Sequence, residues 1–235
     1  MAERLCLGDK CPNAQAQKRA ETAQERVKTF RSRLAEYADS LSVSETHKRL
    51  YESMMVLDLT TGVYNSKGLA MKFDEELARF QRFGRRFGLL FMRIDGFEKL
   101  KAERGEKAAD KILVMVAGAL KESIRPYDSV HRLDNADFTE LLPETNNEKL
   151  ASVIAERLRT RVEKLQLAPD RTNDVFSMTV SIGVAVLDMA MGPGVPRDAK
   201  KELDRMLGNA MRAEEMAEKE GMNRVSIAPL QASGT

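Results

Sequence analysis

The sequence predicts an α/β domain behind a helical extension. Three observations carry that expectation. Apolar residues recur at helical spacing over 67–83, 107–123, 147–165 and 197–219. Short runs of strand character stand between them, at 88–95, 130–142, 175–187 and 224–228. One of these runs, Val130 to Pro143 (VHRLDNADFTELLP), reads as a hairpin, because Asp134-Asn135-Ala136-Asp137 interrupts two apolar-alternating stretches and Asp and Asn tolerate tight-turn backbone angles. Helical and strand periods in alternation mean helices layered on a sheet; periodicity alone does not choose the topology.

Composition narrows the function classes. At 235 residues and 43% hydrophobic, the chain suits one ordinary domain plus an extension. Its formal charge is +2 with both signs interspersed, which argues against a dedicated nucleic-acid binder. No apolar run is long enough for a membrane span and no leader pattern opens the chain, so the default expectation is a cytoplasmic protein with no membrane partner. The two cysteines, Cys6 and Cys11, and the two histidines, His47 and His131, do not make a tight four-ligand zinc pattern. Cys6 and Cys11 read as free thiols on a tail. The thirteen methionines are scattered over apolar faces as core filler.

In chain order, residues 1–15 lack periodicity and read as a flexible tail. Residues 16–57 read as a helical segment. Ala20, Ala23, Val27, Phe30, Leu34, Tyr37 and Leu41 alternate steps of three and four, a heptad seam of about three repeats. Ser42 with Glu45 forms a capping-box pattern for a second helix reaching about Leu57, with Leu50, Met54 and Leu57 inward. The segment reads either as a coiled coil that dimerises the chain or relays a signal, or as a helical hairpin on its own domain.

Residues 58–235 read as the main domain. Asp58 to Asn65 is a turn cluster. Lys67 to Phe83 is an amphipathic helix with Leu69, Phe73, Leu77 and Phe80 on one face. Gly88 to Asp95 is a buried-strand run turning polar at its end. The helix from Lys107 to about Ser123 presents Ile112, Leu113, Val116 and Leu120, and that of Asn147–Leu165 presents Leu150, Ile154, Leu158, Val162 and Leu165. Val175 to Leu187 alternates and breaks at Gly183, as two strands or one bent strand would. Met189 to Pro196 is a loop. Arg197 to Lys219 is a charged helix with Leu203, Met206, Leu207, Ala210 and Ala213 as its stripe; Gly221 caps it and a short strand follows at 224–228.

Several separated signals in this order resemble the GGDEF family, the diguanylate cyclases. They are Asp58-Leu59-Thr60-Thr61-Gly62-Val63-Tyr64-Asn65, the Ile94-Asp95-Gly96-Phe97 strand end, Arg125-Pro126-Tyr127-Asp128 before the hairpin, Ala155-Glu156-Arg157-Leu158-Arg159, Ser181-Ile182-Gly183-Val184-Ala185, and Gly221-Met222-Asn223. The resemblance covers Asp58 to Ala228. It implies a palm-like central, mostly antiparallel sheet flanked by helices, as in nucleotidyl cyclases.

The resemblance also locates departures. The signature turn reads Asp134-Asn135-Ala136-Asp137-Phe138. Arg93 and Ala136 stand where the family places two metal-binding carboxylates; Asp95 and Asp137 keep acids nearby. At the two guanine-binding positions Lys101 replaces an asparagine and Asp110 is retained, while Glu218 and Met222 stand where the family supplies a lysine and an arginine to phosphate. Hard cations need carboxylate oxygens and phosphoryl transfer needs charge neutralisation. These residues therefore imply a degenerate, non-enzymatic domain with no metal and no cofactor. Arg93 is expected to bridge to Asp134 or Asp137 instead.

Arg125-Pro126-Tyr127-Asp128 matches the family's RxxD, six residues ahead of Asp134, and Arg157 falls where relatives place a further arginine. The resemblance implies a cyclic di-GMP site; the plain alternative is a surface ion pair at a helix end. The resulting expectation is a cyclic di-GMP receptor working with a further signalling protein, as a possible homodimer. The alternatives are a ligand-independent interaction scaffold and a regulator holding GTP through Asp110.

Overall fold

The computed structural model describes residues 55–166, 175–187 and 192–228. The tail with Cys6 and Cys11, the heptad seam and the capping box at Ser42 lie outside the described residues. Helix α1 spans Ser66–Phe83, strand β1 Gly88–Ile94, α2 Phe97–Arg104, α3 Glu106–Ser123, β2 Ser129–Arg132 and β3 Asp137–Leu142. They are followed by α4 at Glu148–Glu163, β4 at Val180–Val186, α5 at Ala199–Lys219 and β5 at Val225–Ile227. The five strands form one sheet ordered β2-β3-β1-β4-β5. All neighbours pair antiparallel except β4 and β5, which are parallel.

Strand β1 is apolar except for Arg93 near its end, because both sheet faces are covered. Leu89 and Phe91 join a core with Leu69, Phe73, Leu77 and Phe80 of α1 and Met206 and Ala210 of α5. Leu90, Met92 and Ile94 point the other way, into a core with Ile112, Val116 and Leu120 of α3 and Ile154 and Leu158 of α4. A strand buried on both faces has no polar alternation to display. The helices have local start and stop signals. Asn65, Asn147 and Asp198 cap α1, α4 and α5 by accepting from the backbone N–H three residues on, and Gly84 closes α1 in the left-handed conformation.

The turn before α1 is built by the residues that made it recognisable. Asp58 accepts from the Thr61 N–H at 2.8 Å and its hydroxyl at 2.6 Å, and Gly62 takes a φ of 70°. Arg132 of β2 donates to the same carboxylate at 3.2 Å. Burial opposes ionisation of Asp58, but these Thr61 and Arg132 contacts hold its pKa below the ordinary value. The turn is thereby fastened to the hairpin, where the Tyr64 N–H also donates to the Val130 carbonyl.

Two expectations are corrected. Leu57 does not face inward from a helix: it forms an isolated bridge to Tyr64 and is 45% exposed. Strand β4 does not break at Gly183 but runs through it in register with β1. Gly183 is required by packing. A Cβ there would sit 1.8 Å from the Ala210 carbonyl oxygen of α5. Part of the predicted 189–196 loop lies outside the described residues.

Candidate functional site

At the β1–β3 end of the sheet, Arg93 lies opposite Asp137 in the strand register. Its Nε donates to Asp137 Oδ1 at 2.9 Å and its Nη2 to Oδ2 at 3.3 Å, a two-point pair. Its Nη1 donates to Glu214 Oε2 of α5 at 3.1 Å and lies 4.0 Å from Glu218 Oε2. The guanidinium also stands over the Phe91 ring, 5.5 Å from its centroid. Of the two expected partners, Asp137 is the one engaged. Asp134 instead accepts from the Asn135 N–H within the exposed turn.

One cation therefore faces three carboxylates. Glu214 is 99% shielded in its side chain and Oε1 has no hydrogen-bond partner among the described residues. Burial, with Glu218, Asp137 and Asp95 adding to it, raises its pKa to about 7 against the pull of Arg93. Replacing Arg93 with alanine is expected to cost about 1–3 kcal/mol, since it strips Glu214 of its partner while a third of Arg93 remains in solvent. The loss should be larger at pH 8 than at pH 6, where Glu214 can take up a proton. Urea unfolding at both pH values checks this; equal stability of variant and parent would contradict it.

Asp95 is fully engaged elsewhere. It accepts from Thr179 Oγ1 at 2.5 Å, Ser181 Oγ at 2.7 Å and the Asn223 N–H at 3.1 Å. Asn223 then donates to Glu163 and accepts from Arg159, tying the α5–β5 turn to α4. Ala136 is buried and its carbonyl accepts from the Ile94 N–H at 3.4 Å. The Asn135 carbonyl accepts from Arg132, with Asn135 at a φ of 40°. Lys101 pairs with Glu106 at 3.6 Å and Asp110 is exposed on α3. Met222 holds a φ of 62° in the turn after α5 and is exposed. Among the described residues no group of three or more His, Cys, Asp or Glu side chains is arranged to hold a metal ion.

A second cluster lies at the far end of β2 and β3. The Asp128 carboxylate accepts from the Arg125 N–H at 3.0 Å, and the Arg125 carbonyl accepts from the Asp128 N–H at 3.1 Å. The turn is closed through the main chain of Arg125, not by the guanidinium ion pair of the plain alternative, and Arg125 is exposed. Arg157 of α4 donates to the Ser123 carbonyl at the end of α3, at 2.9 Å. Burial raises the Asp128 pKa, opposed by the Arg125 N–H bond and the charges of Arg125 and Arg157. The structure thus places Arg125, Asp128 and Arg157 within one electrostatic neighbourhood.

Sequence reasoning passed over Glu140. It lies mid-strand in β3, wholly buried, on the sheet face toward α3 and α4, and neither carboxyl oxygen has a partner among the described residues. Glu214 was missed too, although it stands four residues after Ala210 of the apolar stripe.

Residues 55–224 match the family model described as diguanylate cyclase, GGDEF domain. Diguanylate cyclase DosC of Escherichia coli is 30% identical over 172 residues, 73% of this chain and 35% of DosC. The chain thus spans about a third of that relative. Among solved structures, the coiled coil and GGDEF domain of DgcB from Caulobacter crescentus, in complex with c-di-GMP, is similar with a TM-score of 0.65 at 22% identity, covering 85% of this chain and all of that one. Diguanylate cyclase SiaD of Pseudomonas aeruginosa, in complex with its activator SiaC, is similar with a TM-score of 0.65 at 24% identity, covering 92% and 80%.

These matches overturn one expectation. The substitutions at Arg93, Ala136, Glu218 and Met222 suggested a protein that is not an enzyme, but the curated relatives are named diguanylate cyclases. The substituted residues describe how this site differs; they do not remove the chain from a family of cyclases. No helix among the described residues is long and apolar enough to cross a membrane.

Proposed function

The chain belongs to the GGDEF family, and on that premise we propose that it binds cyclic di-GMP through Arg125, Asp128 and Arg157 and serves as a signalling domain responsive to that ligand. The observation that carries this reading is the Arg125–Asp128 turn. Because the turn closes through the Arg125 main chain, the arginine fork remains exposed beside a half-buried carboxylate. A guanidinium can donate to guanine's acceptor edge or to phosphate, and a carboxylate accepts from guanine N–H groups. Arg157 adds a second cation, oriented by its bond to the end of α3. The DgcB structure of the same fold holds c-di-GMP, which supports the choice of ligand.

Arg125→Ala and Asp128→Ala are each expected to weaken cyclic di-GMP binding by tenfold or more, the equivalent of about 1.5–3 kcal/mol per charge-assisted hydrogen bond. Isothermal calorimetry on the intact chain measures this, with circular dichroism to establish that both variants fold. Undiminished affinity in both would overturn the assignment.

A further inference from the structure

Glu140 is a buried carboxyl in an apolar setting. Its cross-strand partners, Leu90 of β1 and Val130 of β2, are buried and apolar. Phe138 and Leu142, its neighbours on the same face of β3, are buried as well. Among the described residues both carboxyl oxygens lack hydrogen-bond partners, a costly arrangement for an ionised group. What lies nearby is the proposed ligand surface. Asp128 precedes Val130 by two residues, and so lies along the strand direction from Glu140's partner. Arg157 projects from α4, the helix packed over this face.

Resting on the reading of Arg125, Asp128 and Arg157 as a cyclic di-GMP site, we propose that Glu140 is a fourth residue of that site, a buried carboxyl that carries a proton while the surface above it holds an anionic ligand. It is a positioning residue: it sets the field beneath the ligand and need not touch it. The charged groups acting on it are Asp128, from the loop before β2, and Arg157, from α4; the residues paired with it on the strands to either side, Leu90 and Val130, are apolar, and Arg132 lies two residues beyond Val130 on β2. Burial first, then Asp128, raise its pKa to about 8 while Arg157 pulls the other way.

A bound phosphate diester engages Arg157 and adds negative charge above Glu140. Both changes favour the neutral acid, so binding takes up a proton wherever Glu140 is partly ionised. Affinity should fall as pH rises through and beyond 8.

Calorimetric titration of the full chain with cyclic di-GMP at pH 6.5 and pH 9 tests this. The parent should bind about fivefold more weakly at pH 9 than at pH 6.5, for a group whose pKa rises by roughly one unit on binding. Glu140→Gln reproduces the shape of the neutral acid without a titrating proton. It should lose the parent's fivefold difference between the two pH values, while ionisation of the ligand itself affects both proteins alike. Glu140→Leu should behave the same way and serves if the glutamine variant does not fold. Equal parent affinity at both pH values, or a variant that keeps the parent's pH dependence, overturns the role of Glu140 while leaving the binding site intact. Absence of parent binding at pH 6.5 overturns the binding site itself, and this role with it.

Discussion

Gly183→Ala is expected to abolish the native packing of α5 on the sheet. The added Cβ would stand 1.8 Å from the Ala210 carbonyl oxygen and 2.5 Å from the Glu214 nitrogen. Both are backbone atoms of α5, so no side chain can rotate aside. The helix must lift from β4, and the contacts of Met206, Ala210, Ala213 and Ala217, all fully buried, go with it. Overpacking of this kind costs on the order of 3 kcal/mol or more. That is a large share of the stability of an ordinary domain. Gly118→Ala in α3 is the matching control. Nothing lies within 4 Å of the Cβ it would add, and a helical Gly→Ala replacement should stabilise by about 0.5–1 kcal/mol. Thermal melts of the two variants should move in opposite directions. A Gly183→Ala protein melting within a few degrees of the parent would contradict the packing described for β4 and α5.

Glu140→Leu is expected to stabilise the protein strongly at alkaline pH. Glu140 has a folded pKa of about 8 against an ordinary value of 4.5. A group raised in this way favours the folded state fully below the unfolded value, and that contribution is lost as pH rises through the folded value. The parent should therefore lose stability between about pH 5 and pH 9, by up to roughly 4 kcal/mol from this residue. Glu214, raised to about 7, acts in the same direction over a narrower window. His131 acts at the other end. Burial depresses its pKa to about 4 from 6.5, so the folded state prefers the neutral ring and stability falls as pH drops from 6.5 through 4. Two carboxyls losing stability above pH 4.5 outweigh the one histidine regaining it, so the parent should be most stable near pH 4.5 to 5. Glu140→Leu should flatten the alkaline limb and leave the acid limb unchanged. An unaltered alkaline limb, by denaturant unfolding across this range, would contradict the burial of an unpartnered carboxyl in β3.

Much of the fold was legible because its determinants are local. Helical spacing placed Leu69, Phe73, Leu77 and Phe80 together, and all four are buried. The short polar tip at Asp134 to Asp137 marked the turn between β2 and β3. Arg93 was legible as a cation replacing an acid, and it does pair across the sheet with Asp137. What the sequence hid depends on the third dimension. Gly183 looks like a strand break, because nothing local says that a helix of small residues crosses it. Glu140 is a lone acid that nothing local marks as buried; it is buried because α3 and α4 cover that face of the sheet while α1 and α5 cover the other. Glu214 reads as the start of a charged helical face, although its spacing from Ala210 puts it on the inner one. Residue identity likewise pointed away from enzymatic function at Arg93 and Ala136, where the relatives point toward it.

The central claim is that cyclic di-GMP sits on the Arg125, Asp128 and Arg157 surface. A crystal structure of the protein grown with cyclic di-GMP tests it most directly. The Arg125 guanidinium and the Asp128 carboxylate should lie in hydrogen-bond contact with one guanine or its adjoining phosphate, with Arg157 on the same ligand and Glu140 buried beneath them. A ligand seated instead among Arg93, Asp137 and Glu214, or on a surface touching none of Arg125, Asp128 and Arg157, would contradict it.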